Sequence, residues 1–107
     1  MSVPTVSVIM NCLNAEPYLR EAMNSVVAQT YSDWEIIFWD NASRDGSGVI
    51  AKSYGERVRC FRGEATVPLG QARNLAIAEA RGRYLAILDC DDIWLPEKLE
   101  RQVALLE

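Results

Sequence analysis

Tyr84-Leu85-Ala86-Ile87-Leu88-Asp89-Cys90-Asp91-Asp92 is an apolar run that ends directly in three carboxylates within four positions. The apolar half reads as a strand, and the acidic half as the loop at its carboxyl end. Like charges set so close repel one another unless a cation compensates. Hard oxygen ligands suit Mg2+ or Mn2+, which keep waters and complete an octahedron with substrate phosphates. On this reading two carboxylates hold a metal that holds a diphosphate. The competing reading makes Asp91 or Asp92 the cap of a helix that begins near Pro96, with the other carboxylates solvated.

Outward from that step the chain alternates strands and helices. Val6 to Met10 is a short β-branched run ended by the polar Asn11. From Glu16 to Gln29 the residues Leu19, Ala22, Met23, Val26 and Val27 recur at helical spacing, with Pro17 in the first turn. Trp34 to Trp39 is too continuously apolar for a strand with one wet face and suits a sheet covered on both sides, delivering Asp40 at its end. Asn41 to Gly48 is turn chemistry with Asp45 as a helix cap, and Val49 to Tyr54 predicts a short helix. Arg57 to Arg62 alternates charged and apolar residues, as a strand near a sheet edge does. Leu69 to Ala80 carries a stripe of Leu69, Ala72, Ala76 and Ala80, with Gly82 closing that helix. A last helix starts near Pro96 and presents Leu99, Val103 and Leu106. The order specifies an α/β fold with a mostly parallel sheet and helices on both faces, in which ligands bind beyond the carboxyl ends of the strands.

The bulk properties exclude several functions. The 107 residues are half apolar and 24% charged, enough for one core. A net charge of −4 without a basic stripe argues against a nucleic-acid partner. No apolar stretch approaches the roughly 20 residues of a membrane span, and no signal peptide is evident. The expected location is therefore cytoplasmic, with any membrane association residing elsewhere in a longer protein. With no histidine, neither a Ser-His-Asp triad nor a Cys-His dyad can form from these residues. Cys12, Cys60 and Cys90 have no zinc or redox spacing and read as reduced thiols, Cys12 and Cys90 as small buried hydrophobes.

Other features carry two readings. Gly46-Ser47-Gly48-Val49-Ile50-Ala51 fits the dinucleotide pattern formally, but that fingerprint should follow a strand immediately, and polar residues intervene after Trp39. Arg73 either reaches a phosphate or the acidic loop, or makes an exposed surface pair. Trp94 either faces a sugar or packs beneath the last helix.

Taken together, these segments closely resemble the N-terminal half of family-2 glycosyltransferases. The resemblance is carried by Val6-Ser7-Val8-Ile9-Met10, Asn14 with Tyr18-Leu19, Gln29-Thr30-Tyr31, Trp34-Glu35, Asp40 to Gly46, Ala72-Arg73-Asn74, Ala80-Arg81-Gly82, and Leu88 to Asp92 with Trp94, Pro96 and Leu99. It implies a Rossmann-like GT-A fold, truncated, with residues 1–107 forming the donor-binding part of the domain. It also implies transfer of a sugar from a nucleoside-diphosphate sugar to an acceptor hydroxyl, with inversion and with a divalent metal. Asp89-Cys90-Asp91 would be the DxD motif, with Asp91 on the metal and Asp89 on the ribose or sugar side. Asn11, Cys12 and Leu13 would line the base together with Asp40 and Asn41, and Arg73 would brace the nucleotide pocket. The catalytic base would come from a later segment, so this chain alone would be inactive.

The sequence departs from the family at the base pocket. Asn11-Cys12-Leu13 stands where Pro-Thr-Tyr is frequent, and Asn41 where a second Asp is frequent. An amide donates and accepts hydrogen bonds whereas a carboxylate only accepts, so base preference would shift. The alternative is a non-catalytic nucleotide-binding or interaction module on a degenerate form of the fold. The acceptor, a saccharide or a lipid-linked glycan, is left open, and the isolated chain is expected to self-associate through uncovered apolar surface.

Overall fold

The structure, a computed structural model, describes residues 3–107. Its elements are β1 (Val6–Cys12), α1 (Glu16–Val27), β2 (Trp34–Asp40), α2 (Ser47–Lys52), β3 (Val58–Arg62), α3 (Leu69–Ala78), β4 (Tyr84–Ile87) and α4 (Lys98–Leu106). The four strands are parallel in the order β3-β2-β1-β4. β1 is central, and β3 takes the edge position its alternating sequence predicts.

Alternation along β1 divides the core. Val8, Met10 and Cys12 point to the face covered by Leu19, Ala22, Met23 and Val26 of α1, Ile50 and Ala51 of α2, and Leu99 and Val103 of α4. On the opposite face Ile9 and Ile37 meet Ala76 of α3, whose small residues let the helix lie close to the sheet. Helices thus cover both faces, three on one and one on the other. Leu85 and Ile87 of β4 remain about half exposed (49% and 47%), so part of the apolar α3-side surface expected from the sequence is open.

Element boundaries differ from expectation where hydrogen bonding outruns the apolar pattern. Pairing of Asn11 with Trp39 and of Cys12 with Asp40 carries β1 and β2 beyond their last aliphatic residues. Helix α1 stops at Val27, and just beyond it the Gln29 side chain donates to the Ser25 and Leu95 carbonyls and accepts from the Leu99 N–H. Helix α2 starts at Ser47, and Asp45 sits just before its cap residue, Gly46, accepting hydrogen bonds from both the N–H and the hydroxyl of Ser47. Gly82 does not close α3, which ends at Ala78 with Glu79 as its cap. Its requirement is proximity: a Cβ there would lie 2.5 Å from the backbone nitrogen of Ser7.

One buried carboxylate on β2 joins β1, β3 and the α3–β4 connection. Glu35, 3% exposed, accepts hydrogen bonds from the Ser7 hydroxyl (2.6 Å), the Arg81 N–H (2.9 Å) and the Arg81 guanidinium (3.0 and 3.1 Å), with Arg59 at 3.3 Å. Burial pushes its pKa up, but the Ser7 and Arg81 hydrogen bonds and the Arg81 charge outweigh it, and the net result lies below the ordinary value of 4.5. The native state then binds this proton more weakly than the unfolded chain. The stabilisation is complete above pH 4.5 and is lost as pH falls through the depressed value. Glu35→Gln in the full chain is expected to cost about 2–3 kcal/mol at neutral pH, below the range for fully buried pairs because Arg81 is half exposed. Denaturation series should show the gap between the two proteins closing on acidification; a gap that stays constant down to about pH 3 contradicts this assignment.

Candidate functional site

Because the strands are parallel, their carboxyl ends lie on one side, and the loops that follow β1 and β2 are fastened to each other there. The N–H groups of Asn14, Ala15 and Glu16 donate to Ser43 Oγ (2.9 Å), Ser47 Oγ (3.2 Å) and the Asp45 carboxylate (3.1 Å). In return the Arg44 N–H donates to Asn14 Oδ1 (2.7 Å). Asn14 holds a left-handed backbone, φ 53°, which asparagine tolerates better than most residues.

The acidic segment is pinned beyond the end of β4. The Leu88 N–H donates to the Ile9 carbonyl (3.0 Å), continuing the β1–β4 ladder, and the Asp92 N–H donates to the Asp89 carbonyl (3.0 Å), closing a turn. Further along, Gln29 Nε2 donates to the Leu95 carbonyl (2.8 Å) while its Oε1 accepts from the Leu99 N–H (3.0 Å). Trp94 packs against the main core with the Lys98 ammonium over its ring, so it takes the packing role.

Between the β1–α1 loop and the acidic segment lies a cleft of about 410 Å³ lined by Asn11, Leu13, Asn14, Ala15, Tyr18, Leu69, Asp89, Cys90 and Asp91. Asp89 and Asp91 are exposed, and Asp89 pairs with the Arg73 guanidinium at 3.7 Å. Both polar atoms of the Asn11 amide, and the Arg73 Nε, are buried without a hydrogen-bond partner. Unpaired buried donors and acceptors are costly and rare, so such atoms bordering a cleft mark where a ligand can compensate them.

The structure therefore places Asn11, Leu13, Asp89, Cys90 and Asp91 around one cleft, with Arg73 attached through Asp89. Cys12 lies behind the wall, 1% exposed, in the main core with Cys90. Asp40 and Asn41 do not join them. Asp40 is buried and bound to Arg62 (2.7 Å) and to the Ser43 N–H (2.8 Å), facing a separate cleft against α2 and β3. The Asn41 amide donates to the Val67 carbonyl (2.8 Å) and accepts from the Val67 N–H (3.0 Å), holding the β3–α3 connection as a paired peptide would. Leu69, Ala15 and Tyr18 border the cleft without an assigned role in the sequence reading; only the helix-start position of Tyr18 and Leu69 could have indicated them.

The thiols differ. The hydrogen bond from Cys90 lowers the Cys12 pKa from 9.0 to about 7 against the effect of burial, with help from the Ser47 hydroxyl, the Ala15 N–H and the Ser43 hydroxyl. Cys90 is pushed upward by its bond to Cys12 and by burial, and its Sγ lies 3.1 Å from the Asn11 carbonyl.

A cleft beyond the carboxyl ends of parallel strands, bordered by two carboxylates of which one pairs with a guanidinium, is the ligand position of the open α/β proteins that bind phosphorylated small molecules. The Glycosyl transferase family 2 profile matches residues 7–107, and the chain belongs to that family. It is 36% identical over 94% of its length to the UDP-Glc:alpha-D-GlcNAc-diphosphoundecaprenol beta-1,3-glucosyltransferase WfgD of Escherichia coli, of which it spans 40%. The S. aureus TarS 1-349 structure in complex with UDP-GlcNAc superposes with a TM-score of 0.91 at 27% identity, covering 95% of this chain and 31% of that one. The Pyrobaculum calidifontis mannosyltransferase PcManGT, in complex with GDP-Man and Mn2+, shares the fold at a TM-score of 0.88 and 24% identity, over 99% of this chain and 33% of that one. The fold is thus the GT-A fold of glycosyltransferases. Among the described residues no helix is long and apolar enough to cross a membrane.

The Asn41 clamp is directly testable. Asn41→Asp sets a carboxylate oxygen against the Val67 carbonyl, and is expected to cost about 1–3 kcal/mol. Hydrogen exchange should show the 63–68 segment opening; protection at Val67 equal to wild type would exclude the clamp.

Proposed function

We propose that this chain is the donor-binding part of a metal-dependent, inverting glycosyltransferase, and that its cleft holds the diphosphate and ribose of a nucleoside-diphosphate sugar. The observation that carries the proposal is the convergence of Asp89, Asp91 and the unpaired Asn11 amide on one cleft at the ends of β1 and β4. Family membership and the nucleotide-sugar complex of TarS support it.

The residues present fit a hard divalent ion, Mg2+ or Mn2+. Asp89 and Asp91 offer exposed carboxylate oxygens on the same cleft. Among the described residues no three His, Cys, Asp or Glu side chains converge, so diphosphate oxygens and water must complete the coordination, as Mg2+ usually requires. In this reading Asp91 holds the ion and Asp89 turns to the ribose or sugar, kept in place by Arg73. A bound divalent ion offsets the charge that grows on the departing diphosphate. Arg73 adds a second positive charge beside it, and the Asn11 amide hydrogen-bonds the nucleoside. Leu13 and Leu69 close the cleft against the base with aliphatic surface. Cys90 fixes the separation of the two carboxylates. Asp40 and Asn41 act indirectly, by holding the loops that shape the cleft. No residue of this chain is proposed as the base that deprotonates the acceptor, and the acceptor is a saccharide or lipid-linked glycan hydroxyl.

Calorimetric titration of the full chain with UDP and GDP, with and without Mn2+, tests the reading. Binding should require the metal, and Asp91→Asn should weaken it by about tenfold or more, roughly 1.4 kcal/mol. Binding that is absent, or indifferent to both the metal and the substitution, overturns the proposal.

A further inference from the structure

Among the described residues β4 pairs only with β1, so its other side is an open sheet edge. The Tyr84 N–H donates to the Thr5 carbonyl (2.9 Å) and the Leu88 N–H to the Ile9 carbonyl (3.0 Å), so Tyr84, Ala86 and Leu88 turn their backbone groups toward β1. By alternation Leu85 and Ile87 turn theirs outward. The side chain of Ile87 lies on the face of its ladder partner Ile9, the α3 side, and that of Leu85 lies on the same face. Both are about half exposed (49% and 47%). Outward-facing backbone groups and incompletely buried aliphatic side chains thus coincide on two residues. Sheet edges are ordinarily shielded by charge, proline or a bulge. The opposite edge, β3, carries Arg59 and Arg62, whereas Tyr84–Ile87 carries no charge and no proline.

We infer that a second copy of this chain docks on this edge, its β4 antiparallel to the first about a two-fold axis at Ala86, joining two four-stranded sheets into one. The register follows by elimination. Outward-facing residues must stand opposite outward-facing ones, so the axis passes through a residue and not between two. An axis at Leu85 sets Arg83 against Ile87 of the other copy, and an axis at Ile87 sets Leu85 against Asp89; each places a charge on an aliphatic chain. An axis at Ala86 sets Leu85 against Ile87 and Tyr84 against Leu88, with the small Ala86 side chains meeting on the axis. Leu85 and Ile87 of both copies then form one continuous apolar patch on the α3 side, where opposed side chains stabilise the pairing.

Charge complementarity selects the same axis. Arg83 immediately precedes the strand and Asp89 follows its last ladder bond, equally far along the chain from Ala86. The axis therefore brings Arg83 of each copy beside Asp89 of the other, at both ends of the contact. Arg83 now pairs with Glu107 (3.4 Å) and Asp89 with Arg73 (3.7 Å), all of them solvent-accessible, and such pairs exchange at little cost. The paired segment is short, so the dimer is a weak one. Antiparallel strands send the carboxyl ends of the two sheets in opposite directions, and the two clefts open at opposite ends of the joined sheet.

Sedimentation equilibrium of the full chain from about 10 µM to about 1 mM should show the mass rising to twice that of the monomer. Residue-resolved hydrogen exchange over the same range should slow most at the Leu85 and Ile87 amides, by about tenfold or more. Ile87→Lys, at a half-exposed position, should keep the wild-type circular dichroism and stay monomeric. Arg83→Asp and Asp89→Arg each set like charges together, and each should weaken association by about tenfold. An equimolar mixture of those two variants should associate as tightly as wild type, because every end of the contact then joins Asp to Arg. A chain that remains monomeric at about 1 mM overturns the proposal, as does a doubled mass without protection at Leu85 and Ile87. A mixture that associates no more tightly than its components overturns the axis at Ala86.

Discussion

Strand β1 is the constraint on which the rest of the molecule depends. It pairs along its full length with β2 and also with β4, so one seven-residue segment sets the register of both neighbours. Its alternation simultaneously assigns Val8, Met10 and Cys12 to the larger core and Ile9 to the smaller one. Parallel pairing then leaves no freedom about where function can assemble, because Asn11, Asp40 and Asp89 must all emerge at the same edge. Glu35 secures this arrangement from the α3 side, binding Ser7 of β1 and Arg81 of the segment that leads into β4.

What the sequence disclosed reflects what short-range pattern can encode. Apolar runs and helical spacing located all eight elements, since burial on both faces leaves a strong signal in segments such as Trp34 to Trp39. The acidic step after β4 was visible because clustered like charges have few structural explanations. Long-range partners were not visible. Asn41 looked like a base-reading residue by position, yet its amide is consumed by Val67, twenty-six residues away. Asp40 likewise meets Arg62 across the β2–β3 pair, and nothing in either segment alone announces that ion pair. Gly82 looked like a helix stop because glycine often is one; the actual demand on it comes from Ser7, at the other end of the chain.

The same contrast explains the two cysteines. Each in isolation is a small apolar residue at the end of a strand, and the sequence separation of seventy-eight positions hides any relation between them. Folding removes that separation, burying both in the main core with the Cys90 sulfur 3.1 Å from the Asn11 carbonyl. Their pKa values are shifted in opposite directions, Cys12 downward and Cys90 upward, so residues with the same side chain differ in character.

Gln29 bears on how far the acidic segment can travel. The segment is anchored upstream by the β1–β4 ladder and downstream by the Gln29 carboxamide, which grips both Leu95 and Leu99 from the far end of α1. A span fixed at both abutments can flex at its middle but cannot swing away as a hinged flap would. Its carboxylates therefore have their reach set in advance, and a ligand that arrives must accommodate to them.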